Sequence, residues 1–419
     1  MDYKKKVDVK KQYLLVSMFF LVTLTNFNID IGFSLKPFMI FSFIYLLMNL
    51  SKFEIKKLYW YEIVLIIFHL YYCYTGVFAK YPESSVRVLF GFTILLGCYF
   101  IMKHAMSGIP VNVIERAIAI SGVLFNSVSI LLYILGLSVL NFQFQGDRIK
   151  VLGVMLDRDY PRLIGTVPDP NFYIFYNTLF FTYFLCKRNS LLNKAGLLLC
   201  ILTNILTFSR GGLLAMTLIV VLYFFMNNPV TQIKLFFGFL TSFTIIGYVV
   251  VFYLKFDVMR IIESRINDFS QDGGSGRFVL WERAWDYFSS NVWLGIGAFN
   301  FPDYNELHYG EYIHVHNMFL DILAESGIIG FALFIVFIIT LGVEIMKKKV
   351  IKANTYLFLS LLAIIFQMMS LTLIINEMLF MYLAIVAVLI SIKSKSFTTL
   401  ENNEGRSYEK ITTSGGEYI

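Results

Sequence analysis

Long apolar runs dominate this chain and restrict its fold more than any other feature. A helix that crosses the hydrocarbon core of a bilayer needs about 20 mostly apolar residues, and roughly a dozen such runs follow one another along the sequence. The runs lie near 13–29, 32–50, 60–79, 86–102, 114–140, 170–186, 192–208, 211–226, 233–254, 317–343, 354–375 and 377–392. Because 58% of the 419 residues are hydrophobic and only 15% are charged, an ordinary soluble domain is excluded. The sequence predicts an all-α, polytopic integral membrane protein with about 12 transmembrane helices.

Both ends of the chain are polar, which predicts three regions. Residues 1–12 form the amino terminus, 13–392 the transmembrane domain, and 393–419 a tail whose composition predicts disorder. The first apolar run has no small-residue cleavage site, so it is expected to remain as a span. All four cysteines fall inside predicted spans, where packing explains them better than a disulfide does.

The distribution of lysine predicts which side of the membrane each loop occupies. Lysines precede the first span and fill the second, sixth and tenth loops: Lys4, Lys5, Lys6, Lys10, Lys11, Lys52, Lys56, Lys57, Lys187, Lys194, Lys347, Lys348, Lys349 and Lys352. Because cytoplasmic loops carry an excess of basic residues, both termini are predicted to be cytoplasmic. Three connections then lie on the outer face, namely the loop 141–169, the turn 209–212 and a large loop over 255–316.

Arginine follows a different distribution from lysine. Of the 23 lysines, 19 fall on the predicted cytoplasmic side and 4 outside, whereas 9 of the 12 arginines fall outside. The outer arginines are Arg87, Arg148, Arg158, Arg162, Arg210, Arg260, Arg265, Arg277 and Arg283. A planar guanidinium makes two-pronged contacts with carboxylate or phosphate groups, so an anionic ligand is one explanation. The other is ion pairing inside the loops, since the large loop holds nine acidic residues against five basic ones.

An amphipathic helix is predicted inside the large outer loop. It follows the glycine-rich run 273–276, with Ser275 as its expected N-cap. Four aromatic residues recur after it at helical spacing: Phe278, Trp281, Trp285 and Phe288. This spacing predicts an apolar face that packs on the bundle or lies in the membrane interface. Arg277 would lie in the first turn, where free backbone N–H groups and the helix dipole favour an anion.

His316 and Asn317 begin the span that follows the large loop. Asn317, Asp321 and Glu325 recur every four residues and predict one polar stripe on an otherwise apolar helix. Carboxylates that enter a membrane helix normally face a cavity or a basic partner. A neutral histidine can act as a general base at physiological pH. The alternatives for His316 are a helix cap, an interfacial position, or zinc binding together with the two other histidines of the loop.

Two turns before predicted spans carry polar residues. In Ser209-Arg210-Gly211-Gly212 the arginine either snorkels at a helix end or points into an outward-facing cavity that the glycines leave accessible. The sequence Pro168-Asp169-Pro170-Asn171 predicts a rigid turn, in which Asp169 or Asn171 caps the following helix.

A short acidic motif lies in the loop 141–169. Asp157-Arg158-Asp159 matches the Asp-x-Asp pattern of many metal-dependent sugar transferases, but a solvated loop is the simpler interpretation of three residues without supporting context. The sequence contains no Walker loop, dinucleotide fingerprint or nucleophile elbow.

Several of these segments occur in an order that resembles a known family. The ordered set is Asp169-Pro170-Asn171, then Phe208-Ser209-Arg210-Gly211-Gly212, then Ser275-Gly276-Arg277 followed by Trp281, then Gly295-Ile296-Gly297, and finally His316-Asn317 with Gly327 and Gly330 behind it. Over roughly residues 165–335 this set resembles the bacterial O-antigen ligase and polysaccharide polymerase superfamily. No single segment is specific, whereas the ordered set combined with the predicted topology is. The amino-terminal half is similar in hydropathy alone.

The resemblance implies a metal-independent and cofactor-independent glycosyltransferase in the bacterial cytoplasmic membrane. Its donor would be a glycan on undecaprenyl diphosphate at the outer face, transferred with inversion at the anomeric carbon. By the same resemblance Arg210 and Arg277 would hold the diphosphate, and His316 would deprotonate or orient the acceptor hydroxyl. The further candidate substrate-binding residues are Arg265, Arg283, Asn317, Glu325, Asp169 and Asn171.

Among the activities of such proteins, the resemblance favours a polymerase of O-antigen, capsule or exopolysaccharide repeat units. Donor and acceptor would both be lipid-linked oligosaccharides, and a flippase and a chain-length regulator would be partners in the membrane; nucleic acid would not. A ligase that transfers polymer to a second acceptor remains an alternative. An exporter of lipid-linked sugars is another, but it would be expected to carry charged residues at the middle of its spans, where this sequence has very few.

Overall fold

The computed structural model describes residues 2–31, 33–146, 149–157, 160–248, 251–252, 276–347, 351 and 354–392. Helices make up most of this part of the chain: α1 (Asp2–Val22), α2 (Pro37–Met48), α3 (Trp60–Thr75), α4 (Pro82–Met106), α5 (Val111–Val139), α6 (Pro170–Cys186), α7 (Leu191–Leu206), α8 (Arg210–Phe225), α9 (Pro229–Tyr248), α10 (Arg277–Ser290), α11 (Phe301–Tyr309), α12 (Met318–Met346), α13 (Thr355–Met368) and α14 (Glu377–Ile392). The predictions made for Arg265, for Ser275 and for the tail 393–419 lie outside the described residues.

Four of the described helices are long and apolar enough to cross a membrane. They are α3 together with the 3₁₀ turn after it (Trp60–Phe78), α4, α5 and α12. Five others are apolar but span only 10–17 residues, namely α2, α7, α8, α13 and α14. Each predicted apolar run overlaps one helix, with α1 beginning and ending earlier than its run. The predicted class, a helical membrane protein, is therefore confirmed, while the figure of about 12 spans stays a prediction.

Helix α4 connects two ends of the bundle that carry different chemistry. At its start the Tyr81 amide donates to Asn300 Oδ1 in the large loop that was predicted to lie outside (2.9 Å). Near its end Lys103 Nζ lies 2.5 Å from Glu62 Oε1, in the first turn of α3. A helix of 25 residues extends about 37 Å at 1.5 Å per residue, which exceeds the hydrocarbon thickness of a bilayer. We call the end at Tyr81 and Asn300 the loop end, and the end at Glu62 and Lys103 the lysine end.

Two small antiparallel sheets supplement the helices. Strands β1 (Ile29–Asp30) and β2 (Ser34–Leu35) form a hairpin, and β3 (Ile149–Val151), β4 (Val154–Asp157) and β5 (Tyr160–Leu163) form a three-stranded meander. All four residues of β5 are buried. The loop 141–169 is thus partly a folded sheet. Asp157 ends β4 and pairs with Arg162, which corrects the solvated-loop interpretation at this residue, while Arg158 and Asp159 lie outside the described residues. Strands of three or four residues are too short for their alternating pattern to stand out in a sequence.

The glycines around residues 295 and 327 join the large loop to α12. Gly327 has φ +64° and ψ −168° inside α12, and a Cβ there would lie 2.3 Å from the Trp293 carbonyl oxygen. Gly295 has φ +68°, and its Cβ would lie 2.5 Å from the Ala324 carbonyl oxygen. The Ile296 amide donates to that same carbonyl (2.9 Å). Both glycines are needed because two backbone segments run in direct contact.

The amphipathic helix predicted in the large loop is α10, although its packed face differs from the predicted one. Leu280 and Ala284 are buried, and Tyr287 packs beside them. Phe278 and Trp285 are 60% and 55% exposed, whereas Trp281 packs against this cluster. Of the two predicted placements of the aromatic face, packing on the bundle holds for Trp281 but not for Phe278 and Trp285. Helical spacing identifies a stripe, but it does not say which of two adjacent apolar stripes packs on the protein. Exposed aromatic rings on a helix of this kind suit a membrane interface.

Candidate functional site

The site begins where α6 and α8 start side by side. Asp169 Oδ1 accepts hydrogen bonds from the Asn171 and Phe172 amides (2.7 and 3.2 Å), so the predicted capping role of Asp169 is confirmed. Ser209 caps α8 by accepting from the Gly212 amide (3.4 Å). The Ser209 hydroxyl also donates to Asn171 Oδ1 (2.8 Å). The two caps are therefore joined through one side chain.

Arg210 is the first residue of α8 and is exposed. Its position follows from Gly212, where a Cβ would lie 2.1 Å from Ile174 Cγ2 on α6. Only glycine allows the first turns of the two helices to come this close. A Cβ at Gly211 would lie 3.0 Å from Ser370 Oγ, so this glycine too is close to the protein itself. The glycines thus position Arg210 by allowing helices to pack.

Arg162 also belongs to the site, although the sequence predicts no particular role for it among the outer arginines. It is 7% exposed. Its Nη1 pairs with Asp157 Oδ2 (2.7 Å), its Nε donates to the Thr207 carbonyl (2.9 Å), and its Nη2 donates to Asn171 Oδ1 (3.3 Å). One guanidinium thereby connects β4, the start of α6 and the turn before α8. No local sequence pattern predicts this role, because the partners of Arg162 come from three separate segments of the chain.

His316 and Asn317 lie at the start of α12. The Asn317 Oδ1 accepts the amides of the first helical turn (3.1 and 3.3 Å), and the side chain is 8% exposed. Asn317 is therefore the N-cap, which leaves the neighbouring His316 outside the helix. A capping role for Asn317 accounts for its position without a ligand, and its predicted contact with substrate stays a prediction.

The residue before each of the N-caps Ser209 and Asn317 has a left-handed backbone conformation. Phe208, before Ser209, has φ +51°, and His316, before Asn317, has φ +54°. A non-glycine residue in this region costs about 1–3 kcal/mol and persists only where the surroundings enforce it. Such residues concentrate at functional sites, and Phe208 and His316 are two of the six described non-glycine residues with a positive φ.

Arg277 is the first residue of α10 and is half-buried. Burial lowers the pKa of its guanidinium; Asp169 opposes this shift, while the positive charges of Arg210 and Arg162 add to it. Asp169, Arg210 and Arg162, from the cap of α6, the start of α8 and β5, are therefore all within electrostatic reach of Arg277. Within the described ranges no carboxylate lies at ion-pair distance from Arg277. A partly buried positive charge without a paired anion is costly.

The environment of His316 keeps its imidazole neutral. Burial is the largest cause, the positive charges of Arg277 and His314 act in the same direction, and Asp169 opposes them. Together they lower the pKa of His316 from 6.5 to about 4. At neutral pH the ring therefore has a free nitrogen lone pair beside an arginine cluster. Such a ring can accept a proton or a hydrogen bond from a hydroxyl group.

Arg283 is engaged inside the large loop. Its Nη1 donates to Asn305 Oδ1 (2.7 Å) and pairs with Glu311 Oε2 (3.0 Å), and its guanidinium lies 3.7 Å from the centre of the Tyr309 ring. These contacts match the alternative explanation for the outer arginines, ion pairing within the loops. They do not bring Arg283 to the other arginines, so its predicted substrate contact stays a prediction.

The two carboxylates that follow Asn317 on α12 are buried. Glu325 is 0% exposed. Its carboxylate accepts hydrogen bonds from the Tyr72 hydroxyl and from the Phe301 amide (3.0 Å for the amide). It therefore ties α12 to α3 and α11. Asp321 is 1% exposed, and its Oδ1 has no hydrogen-bond partner among the described residues. Substrate contact by Glu325 also stays a prediction, and its observed contacts are all with the protein.

The histidines of the large loop have different neighbours. His308 shares a hydrogen bond with the Tyr287 hydroxyl (2.9 Å), and the His314 ring lies 5.0 Å from that of Phe299. In the described part of the chain, His, Cys, Asp and Glu side chains form no group of three that could hold a metal ion. The zinc alternative for His316 thus has no support in the geometry.

Fold and site together define a class of protein: a helical membrane protein with arginines and a neutral histidine gathered at the loop end of its bundle. Residues 195–335 match the family model described as O-antigen ligase. No curated protein matches the chain in sequence. The matched stretch contains Arg210, Arg277 and His316.

Over this part of the chain, the match supports the O-antigen ligase and polymerase superfamily that the resemblance predicted. Members of the family are glycosyl-transferring enzymes of O-antigen biosynthesis. The family implies lipid-linked polysaccharide substrates in a membrane.

Proposed function

We propose that the protein is a polysaccharide repeat-unit polymerase of the bacterial cytoplasmic membrane. It transfers glycan from undecaprenyl diphosphate to the non-reducing sugar of another lipid-linked repeat unit at the outer face. Arg210 and Arg277 bind the diphosphate, and His316 is the base. The observation that carries this proposal is the half-buried Arg277 without a paired carboxylate among the described residues. Its position beside Arg210, Arg162 and the neutral His316 is that of a site prepared for a diphosphate.

The reaction follows from these roles. His316 accepts the proton of the acceptor hydroxyl, whose oxygen forms the new bond to the anomeric carbon of the donor glycan. The bond between that carbon and the diphosphate oxygen breaks, and undecaprenyl diphosphate leaves with the electron pair. Arg210 and Arg277 stabilise the negative charge that develops on the leaving group. Attack opposite the leaving group inverts the anomeric configuration, and the step needs no metal.

Asp169 and Arg162 support this arrangement indirectly. Asp169 places one negative charge among three arginines, which limits their mutual repulsion when no substrate is bound. Arg162 holds Asn171, and Asn171 in turn accepts from Ser209 directly before Arg210. Both residues are thus expected to act by positioning Arg210 and Arg277.

The charge distribution supports the proposed orientation. The arginine cluster lies at the loop end, and buried and exposed lysines lie at the opposite end of α4. Basic residues favour the cytoplasmic side, so the lysine end would be cytoplasmic and the site outward-facing. A flippase that delivers donor to this face and a chain-length regulator would be its partners.

Purified full-length protein with lipid-linked repeat units tests the proposal. A ladder of products on undecaprenyl diphosphate is expected from the wild type and is not expected from His316→Ala. Transfer of glycan to a second lipid core, without a ladder, would identify a ligase and overturn the polymerase assignment. Movement of intact lipid-linked sugar across vesicles, without transfer, would identify an exporter.

A further inference from the structure

Two adjoining cavities lie at the lysine end, away from the proposed site. One, of about 440 Å³, lies between α1, α2 and the end of α4, and its basic lining residues are Lys11, Lys56 and His104. The other, of about 480 Å³, lies between the segment before α3, the turn after α4, and α14. Its basic lining residues are Lys56, Lys57 and Lys103. Because Lys56 lines both, we refer to them together as the lysine cavities.

The lysine cavities carry a surplus of positive charge. No carboxylate is among the described residues that line them. Two of the lysines have partners just outside: Lys56 pairs with Glu54 and Lys103 with Glu62, each at 2.5 Å. Among the residues from Val9 onward whose side chains the structure describes, no carboxylate pairs with Lys11 or Lys57. The positive charges of these two ammonium groups are thus not balanced by a carboxylate of the described protein.

His104 adds a hydrogen-bond donor to the first cavity. The backbone amide of Glu54 donates to His104 Nδ1 (3.4 Å), so in the neutral ring the proton is on Nε2. The imidazole is held against Phe53, with 5.1 Å between ring centres. Its remaining N–H therefore has a fixed direction, as a donor to an anionic oxygen requires.

Apolar surface continues directly from the basic lining. Ile44 and Met48, on α2, line the first cavity and are 51% and 79% exposed. A soluble phosphate would use the lysines and leave this surface in water. A phospholipid uses both, with its phosphate at the lysines and its acyl chains along α2. Both cavity volumes fall in the range of sites for small ligands, about 300–1,000 Å³.

We propose that the lysine cavities bind the headgroup phosphate of an anionic phospholipid. The positive-inside rule explains lysines in cytoplasmic loops, but it does not explain why several converge on two adjoining open cavities whose described lining includes no carboxylate. Anionic headgroups bind in basic pockets between helices on the cytoplasmic side of membrane proteins. The site lies at the other end of α4 from the arginine cluster, so this proposal does not depend on glycan transfer.

Native mass spectrometry of the full-length protein tests the proposal by titration with short-chain phosphatidylglycerol, phosphatidylcholine or inorganic phosphate. The test variant combines Lys11→Ala with Lys57→Ala. The matched control combines Lys10→Ala with Lys52→Ala, which removes the same charge from exposed lysines that line neither cavity. Thermal midpoints in phosphatidylcholine alone check that both variants fold.

The wild type is expected to bind phosphatidylglycerol in preference to phosphatidylcholine. At about 1 kcal/mol for each lysine near an anionic lipid, the test variant should bind it roughly thirty-fold more weakly, with little change in the control. Equal losses in both variants would show general attraction to the surface and overturn the proposal. Equal binding of the two lipids would also overturn it. Displacement by inorganic phosphate at the lipid's own concentration would identify a soluble anion site instead.

Discussion

The pH dependence of glycan transfer tests the environment of His316. If the neutral imidazole is the base, the rate should fall at acid pH with the pKa of His316, which burial and the charge of Arg277 lower to about 4. At pH 5.5 a histidine with a pKa of about 4 is about 97% neutral, whereas one with the ordinary pKa of 6.5 is only about 9% neutral. The wild type should therefore keep nearly all of its activity at pH 5.5, about tenfold more than an unperturbed base would allow.

The substitution Asp169→Asn should shift the pKa of His316, and with it the pH dependence of the rate, in a known direction. Asparagine is as good an N-cap as aspartate, so α6 should remain capped. The negative charge that raises the pKa of His316 is removed, and the acid limb of the rate profile should move to lower pH. The measurement is the initial rate of transfer from a defined lipid-linked repeat unit between pH 4 and 8, at roughly half-unit steps. An acid limb centred near 6.5, or one that Asp169→Asn moves upward, would refute the reasoning.

Three further predictions concern the arginines and the kinked helix. Arg277→Lys keeps the charge but loses the two-pronged contact, so kcat/KM should fall by about ten- to a hundredfold; full activity would show that charge alone matters. Arg162→Gln should lower kcat/KM and the thermal midpoint together, because it frees Asn171 as well as the half-buried carboxylate of Asp157; loss of activity at an unchanged midpoint would contradict a positioning role. Gly327→Ala should destabilise the protein by about 3 kcal/mol, because the backbone conformation there excludes other residues and a Cβ would lie 2.3 Å from a carbonyl oxygen. In denaturation experiments Gly238→Ala is the control, since its Cβ would meet nothing within 4 Å, and equal stability of the two variants would contradict the account.

The helices of this protein could be predicted because each long apolar run has a single physical explanation in a membrane. Helix starts were predictable for a similar reason, since Asp169 and Ser209 follow the ordinary preferences for N-caps. The three-stranded sheet could not be predicted, because its strands hold three or four residues each and lie in a polar loop. Arg162 was missed with it, since its role depends on partners from three separate segments.

The residues of the candidate site likewise fall into those that the sequence predicts and those that depend on tertiary contacts. Arg210, Arg277 and His316 were proposed from the family resemblance, and their positions near helix starts agreed with anion binding and proton transfer. Arg283 pairs with Glu311, whereas no described carboxylate pairs with Arg277. This difference depends on tertiary contacts, which local sequence patterns do not determine. The polar stripe of α12 was read correctly as a stripe. Glu325, however, faces Tyr72 and Phe301, and a sequence period does not reveal which neighbour a helix face meets.

Release of undecaprenyl diphosphate in a single turnover tests the central claim most directly. Purified protein is mixed with excess acceptor and a limiting amount of lipid-linked donor, and both the released lipid and the extended glycan are quantified by mass spectrometry. The account predicts equal amounts of the two products from the wild type, and loss of both in His316→Ala and Arg277→Ala at unchanged protein levels and thermal midpoints. Wild-type release and extension in both variants would contradict the assignment of this site.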